Sequence, residues 1–264
     1  MQPDVSIVMP AFNSENYIGP AVQSVWQQSH SNWELLIVDD DSTDATRQLA
    51  AQFSRFDNRI KLIEGLGKVG AAAARNAAIE YSRGNWVAFL DSDDIWHPAK
   101  LEKQLRFLAN SGSPITFGDY LRVTSDGRAM HRVRAPVWTD YGRMLRSNFI
   151  GNLTAIYDRR RFPELRFESC GNEDYVFWLT ALRLLDSRIL STPSEEPLAS
   201  YRVRASSLSG NKFRSALWQW ETYRRRLGYG RLQSAVFMGS YAYYGMSKRL
   251  PHFGELLPVR WARS

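Results

Sequence analysis

A single cysteine, Cys170, stands in 264 residues, so the chain has neither an internal disulfide framework nor a cysteine-built zinc site. The four histidines, His30, His97, His131 and His252, show no metal-ligand spacing. There is no Gly-x-Gly-x-x-Gly and no Walker lysine motif, which argues against a dinucleotide enzyme or a P-loop ATPase. A Ser-His-Asp hydrolase would find no Gly-x-Ser-x-Gly elbow. No run approaches the roughly 18 apolar residues of a membrane span. No charged leader with a cleavage site precedes the first apolar run, so a cytoplasmic protein is expected. Internal repeats and low-complexity linkers are missing as well.

The hydrophobic fraction of 44% and the charged fraction of 23% are those of a globular chain, long enough for one large domain with a modest appendage. The net charge of +7 is unevenly spread. Residues 201–264 hold 12 Lys and Arg against two acids, Glu221 and Glu255, whereas residues 1–200 hold 22 bases and 25 acids. A mildly acidic body therefore carries a strongly basic tail.

The first hundred residues alternate strand and helix signals. Apolar runs at 5–9, 35–38, 60–63 and 86–90 read as buried strands, the first ended by Pro10. Helical spacing covers 17–28, 46–54 and the alanine-rich stretch 70–81, with Ser42 and Asp44 as caps before the second. Such alternation implies a doubly wound, mostly parallel sheet, which binds ligands beyond the carboxyl ends of its strands. The middle is less regular: 98–109 reads as helix, 114–123 as strand, and 172–185 as an acid-capped apolar helix. Residues 218–227 and 232–248 are helical candidates in the tail.

Acidic clusters fall at the strand ends. Asp91, Ser92, Asp93 and Asp94 follow the fourth strand, where crowded carboxylates suit a hard divalent ion bridging to phosphate. A solvated acidic turn that caps the next helix fits the same spacing. Asp39, Asp40 and Asp41 follow the second strand, and a carboxylate there can accept from a base imide or a ribose hydroxyl. Lys68, Gly70 and Arg75 surround a helix start that offers cations to phosphate, although an alanine-rich helix on a sheet is ordinary. Glu173 and Asp174 open the late helix, either answering its dipole or supplying a general base.

Together these residues resemble the family 2 glycosyltransferases of the GT-A fold. The resemblance runs through Val5–Asn13, Ile37–Asp44, Gly70 with Ala74-Arg75-Asn76, Asp91–Pro98 and Glu173-Asp174, over about residues 5–205. It implies a Rossmann-like nucleotide-diphospho-sugar transferase sheet flanked by helices, with a helical basic C-terminal extension. The implied division is a catalytic domain at 1–210, its nucleotide half at about 1–110 and acceptor half at about 111–210, then a tail at 211–264. The later stretches Tyr201–Ser209 and Ser240–Gly245 look like bacterial members that build teichuronic acid, O-antigen and capsule units.

Carried over by resemblance, Pro10, Ala11, Phe12 and Asn13 line the nucleotide base, with Glu15 nearby. Asp40 contacts the base, Lys68, Gly70 and Arg75 the nucleotide's polar groups, and Asp91 with Ser92 the ribose. Asp93 ligates Mn²⁺ or Mg²⁺, and Asp174 is the catalytic base of an inverting transfer. Trp96, Glu173, Arg202 and Arg204 are expected near the acceptor or the diphosphate. Two positions depart from the pattern: Asp41 stands where a small residue is common, and Arg204 where many members have histidine.

The expected reaction moves a sugar from a nucleotide-sugar donor, UDP-linked, to a glycan or polyprenyl-diphosphate-linked acceptor in cell-surface polysaccharide assembly. A non-catalytic nucleotide-sugar-binding or scaffold subunit is the alternative. Residues 201–264 hold 12 of the 34 aromatic residues, interleaved with arginine. The tail reads as a contact for an anionic membrane at the inner face of the plasma membrane, or as aromatics packed under the body. No RNP, helix-turn-helix or zinc-finger pattern accompanies it, so nucleic acid is not an expected partner.

Overall fold

The computed structural model describes residues 2–64, 67–203 and 212–247. Strands β1 (Val5–Ala11), β2 (Trp33–Asp39), β3 (Ile60–Ile63) and β4 (Trp86–Phe89) alternate with helices α1 (Ile18–Trp26), α2 (Thr46–Phe56) and α3 (Ala71–Tyr81). The strands lie parallel in the order β3-β2-β1-β4. Every residue of β1 and β2 is buried, because helices cover both faces. Val8, Leu36, Val38 and Phe89 face one apolar cluster, while Ile7, Met9, Leu35 and Ile37 face the other. This is the period-two alternation of a sheet with two cores.

Pro10 does not end the first strand, as the sequence led us to expect. It pairs with Val38 inside β1, which runs on to Ala11. The reason lies in which neighbour each backbone group faces. The Val8 carbonyl accepts from Leu90 N, on the β4 side, and the Ala11 carbonyl accepts from Asp40 N, on the β2 side. Residue 10 therefore faces the β4 side, past the last paired residue of β4, where no N–H is required.

The chain continues through β5 (Ile95–Trp96), α4 (Lys100–Ser111), β6 (Ile115–Phe117), β7 (Tyr120–Val123) and β8 (Ala129–Val133). Next come β9 (Trp138–Thr139), α5 (Tyr141–Met144), β10 (Ile156–Asp158), α6 (Glu173–Leu185), β11 (Ile189–Ser191) and β12 (Ala199–Arg202). The main sheet extends as β3-β2-β1-β4-β10-β6-β11-β9, with β10 antiparallel to both its neighbours and β9 antiparallel to β11. A smaller sheet, β5-β12-β7-β8, stands beside it. The fold is thus α/β with a largely parallel central sheet, as expected, but the short strands β5 and β8–β12 carry no readable sequence pattern.

Helix α7 (Lys212–Glu221), a π-helical stretch at Thr222–Arg226 and α8 (Arg231–Ser247) close the described chain. Tyr223 is completely buried and donates its hydroxyl to the Leu145 carbonyl at 2.6 Å. Phe237 packs 5.4 Å from the Tyr223 ring, and Tyr241 5.9 Å from Tyr175. These tail aromatics complete the same apolar cluster that lies under α3 and α6. Truncating such a ring removes both apolar contact and a hydrogen bond. Tyr223→Ala should therefore cost about 3 kcal/mol or more, and Tyr223→Phe only about 1 kcal/mol. Urea denaturation of the full chain measures both, and an unchanged midpoint for the alanine variant would contradict a seated tail.

Candidate active site

The loops leaving the carboxyl ends of β1, β2 and β4 meet at one edge of the main sheet. They are tied to one another by side chains rather than left to water. Asn13, at φ 45°, takes the left-handed conformation that asparagine tolerates. Its side-chain carbonyl accepts from Thr43 N at 2.9 Å, while its own N–H donates to Ser42 Oγ. Ser42 is consequently not the expected helix cap. Asp44 does serve the start of α2, accepting from Thr46 N at 2.9 Å. Glu15 accepts from Ala45 N at 3.0 Å and donates its own N–H to Asp44. Asp41 sits at φ 63°, the left-handed state that glycine adopts freely and that aspartate tolerates better than most residues.

Asp40 is buried and accepts from Val69 N at 2.6 Å and Gly70 N at 2.9 Å. Gly70 has φ 85° with open space where a Cβ would stand, so its dihedral, not crowding, calls for glycine. The Lys68 ammonium lies 4.6 Å from the centre of the Phe12 ring, which is 40% exposed. Pro10 and Ala11, inside β1, support this rim from below. Phe12, Asn13, Asp40, Lys68 and Gly70 are thus gathered at one strand edge.

Beyond the rim opens a cleft of about 740 Å³. Arg75, Asp91, Asp94, Glu173 and Asp174 line its acidic side. Arg75, on α3, has a side chain only 8% exposed and joins two distant acids: Nη2 to Asp91 Oδ1 at 2.7 Å, and Nη1 to Glu173 Oε1. The ring of Phe167 lies beneath its guanidinium at 5.3 Å. Burial alone would weaken the arginine's charge, but Asp91 and Glu173 hold it firmly protonated. Asn76, its neighbour, clamps Phe167 in place through both its amide groups.

Burial, with Asp93 and Asp91 close by, pushes the Asp94 carboxyl well above the usual range, and the hydrogen bond from Arg202 N offsets this only in part. Burial also pushes Asp174 and Glu173 upward. Asn148 Nδ2 approaches Asp174 Oδ2 at 3.3 Å and orients it toward the cleft. Several of these acids hold a proton more tightly than free carboxylates do, which is the condition for acid–base work near neutral pH.

Other expectations meet different surroundings. Ser92 is buried and donates to Ser14 Oγ at 2.9 Å, away from the cleft. Trp96 is 2% exposed, donates its indole N–H to the Leu153 carbonyl and lies under the Lys100 ammonium at 4.0 Å. It is a core residue and not an acceptor contact, because burying its large ring outweighs a surface role. Arg202 ties β12 to the acidic turn, with Nε donating to the Asp93 carbonyl and Nη1 to the Ser125 carbonyl. Arg204 lies outside the described residues. The half-buried Asp93 sits beside Asp94. Among the described residues no group of three or more His, Cys, Asp or Glu is assembled as a metal site.

The opposite wall was invisible to motif reading. Tyr120 and Arg122 of β7, Arg134, Tyr201 of β12 and Trp218 of α7 line it. Burial, then the nearby Tyr201, pushes the Tyr120 hydroxyl up to about 12, and the Asp174 and Asp94 carboxylates add to the rise. The one available signal is the alternation of Tyr120 and Arg122, which places both on one strand face.

The family model for Glycosyl transferase family 2 matches residues 6–171. The putative teichuronic acid biosynthesis glycosyltransferase TuaG of Bacillus subtilis (strain 168) is 36% identical over 94% of this chain and 98% of its own length. The Escherichia coli UDP-Glc:alpha-D-GlcNAc-diphosphoundecaprenol beta-1,3-glucosyltransferase WfgD is 38% identical over 82% of this chain and 84% of its own length. Among solved structures, S. aureus TarS 1-349 in complex with UDP-GlcNAc superposes with a TM-score of 0.65 at 20% identity, covering 92% of this chain and 72% of its own. The mannosyltransferase PcManGT from Pyrobaculum calidifontis, in complex with GDP-Man and Mn²⁺, gives 0.64 at 18% identity, covering 100% and 76%. With the family's strand-edge motifs assembled around one acidic cleft on a GT-A sheet, the chain belongs to glycosyl transferase family 2.

Proposed function

We propose that this glycosyltransferase moves a sugar from a UDP-sugar to a hydroxyl of a polyprenyl-diphosphate-linked acceptor, with inversion, in cell-surface polysaccharide assembly. The observation that carries the reading is that Asp174 shares one cleft with the acidic strand-edge turn of Asp91 and Asp94. The donor sugar's C1 then lies between a leaving diphosphate and an attacking hydroxyl. The names of WfgD, for a UDP-sugar donor and a diphosphoundecaprenol acceptor, and of the UDP-GlcNAc-bound TarS support the choice of nucleotide and acceptor class. On this reading residues 1–110 serve the donor and 111–210 the acceptor.

Asp174 accepts the proton of the acceptor hydroxyl as its oxygen bonds to C1. The bond from C1 to the diphosphate oxygen breaks on the opposite face, and UDP leaves with that electron pair. Phe12, Asn13, Asp40 and Lys68 hold the nucleotide, and Asp91 the ribose. Arg75 serves this site indirectly, by keeping Asp91 and Glu173 where they are.

A divalent ion fits the donor set. The acids at the turn are hard oxygen ligands, and one or two carboxylates plus phosphates suffice for Mg²⁺ or Mn²⁺. Burial raises the Asp94 carboxyl first, and the neighbouring Asp93 and Asp91 add a negative crowding that a cation relieves. Asp93, with Asp91, would hold such an ion, which supplies positive charge to the leaving diphosphate.

Membrane contact belongs to the same reading. Among the described residues no helix is long and apolar enough to cross a membrane. Several of the expected aromatic contacts, Tyr223, Phe237 and Tyr241, pack on the body instead. The outward face of α8 presents Leu232, Val236, Tyr243 and Met246, all exposed, with no charge between Arg231 and Ser247. An exposed apolar strip with arginines before it suits a lipid surface.

Asp174→Asn should abolish transfer while leaving UDP affinity within about twofold, and near-normal turnover would reject the base assignment. Because burial raises the Asp174 carboxyl, activity should fall as the pH drops through a value above the 3.8 of a free aspartate. An acid limb of kcat/KM at or below 3.8 would contradict that environment. Asp93→Ala should weaken UDP binding in Mn²⁺ far more than in its absence, as read by calorimetry. Wild-type protein should co-sediment with anionic vesicles at low salt, and Leu232→Asp with Val236→Asp should release it; absence of wild-type binding would end the membrane reading.

A further inference from the structure

The cleft is lined by acids and by arginines, and the reaction proposed above uses only the acids. Four carboxylates, Asp91, Asp94, Glu173 and Asp174, line it. The arginine among them, Arg75, is buried and occupied by Asp91 and Glu173, so it has little left to offer an added anion. The small sheet supplies the others. Tyr120 and Arg122 lie on one face of β7, and Tyr201 of β12 stands in register with Arg122. Arg134 follows β8, which pairs with β7.

Arginines elsewhere on this sheet are committed. Arg132 bonds Asp119 at 2.7 Å and donates to the Ser194 and Glu195 carbonyls. Arg202 is spent on the Asp93 and Ser125 carbonyls. Among the described residues, the side chains of Arg122 and of the exposed Arg134 have no hydrogen bond or ion pair, although both residues line the cleft. Arg122 is half-buried there, which is a costly place for a cation without an anion.

We propose that Arg122 and Arg134 form the subsite for the acceptor's own diphosphate, separate from the donor diphosphate at the acidic turn. This rests on the lipid-linked acceptor of the proposed function. Guanidinium groups grip phosphate oxygens in pairs, and Arg122 on β7 with Arg134 just past the neighbouring β8 supply two of them. The aromatic pair Tyr120 and Tyr201, with ring centres 6.2 Å apart, offers a platform for the acceptor sugar. Both tyrosines line the same cleft as Asp174. A sugar resting there turns a hydroxyl to Asp174 and its anomeric diphosphate to the arginines, whose charge it balances.

Undecyl diphosphate, which carries the anion and a short lipid but no sugar, is the probe. Calorimetry on the full chain already saturated with UDP and Mn²⁺ should show it binding. Arg122→Ala and Arg134→Ala should each weaken it roughly tenfold or more, with Arg122→Lys intermediate. UDP affinity should stay unchanged in all three, which also certifies their folding. Undecanol should bind no better to wild type than to the variants. The subsite is overturned if undecyl diphosphate does not bind, if UDP displaces it, or if the alanine variants bind it as wild type does. Failure of UDP itself to bind would instead overturn the donor reading.

Discussion

A guanidinium with 8% of its side chain exposed, held between carboxylates from two directions, fixes where three distant stretches of chain go. Arg75 reaches from α3 to Asp91 at the end of β4 and to Glu173 at the start of α6. Without it the acids of the cleft would repel one another across a space shielded from water. With it, one positive charge offsets two of them, Asp91 and Glu173. Removing one partner from a buried pair commonly costs about 3–5 kcal/mol, because the other charge is left uncompensated. The arginine is therefore a structural condition for the acidic cleft, though the sequence invites its reading as a phosphate ligand.

The nucleotide rim is made rigid in a different way. Its loops are joined by hydrogen bonds that cross from one loop to the next: Asn13 to Thr43, Glu15 to Ala45, and Asp40 to Val69 and Gly70. Two of these anchor residues stand among the motif positions that resemblance assigns to the base. Their carboxylate and amide groups already satisfy backbone donors, so the pocket's shape is set before a ligand arrives. Such preorganisation reduces the ordering that binding would otherwise require. The left-handed residues Asn13 and Asp41 let the two turns come together at this edge.

How much of this was legible depends on how local each feature is. The strands β1–β4 and helices α1–α3 announce themselves because each is one uninterrupted apolar run or one helical period, and the acids follow directly at their ends. The β10 strand is three residues long and takes its place between β4 and β6 only through tertiary pairing, which no local pattern encodes. Pro10 misleads for the same reason: its tolerance depends on where the neighbouring strand stops. Trp96 misleads because an aromatic after an acidic turn looks the same whether it faces a substrate or Leu153. Asp40 and Asp91 do meet at one sheet edge, since doubly wound topology brings strand ends together whatever lies between them. Asp174 instead opens α6 and reaches the cleft beside Asp91 only through tertiary packing.

The tail gains a clearer role from what stands opposite it. The family match ends at residue 171, and Gly171 is where the tail reaches the cleft. A Cβ at that position would stand 1.8 Å from the Trp218 ring, far inside contact distance. Glycine therefore lets α7 press an aromatic against the loop that leads into Asp174. From the same side, Tyr241 and Gly245 of α8 reach the cleft while Leu232 and Val236 of that helix face outward. One helix thus borders both the acidic cleft and the exposed apolar strip. A lipid-linked acceptor would have to satisfy both environments at once, its sugar and anion in the cleft and its chain in hydrocarbon. The tail thus seats Tyr223 in the body's core while it keeps Leu232 and Val236 in solvent beside the cleft.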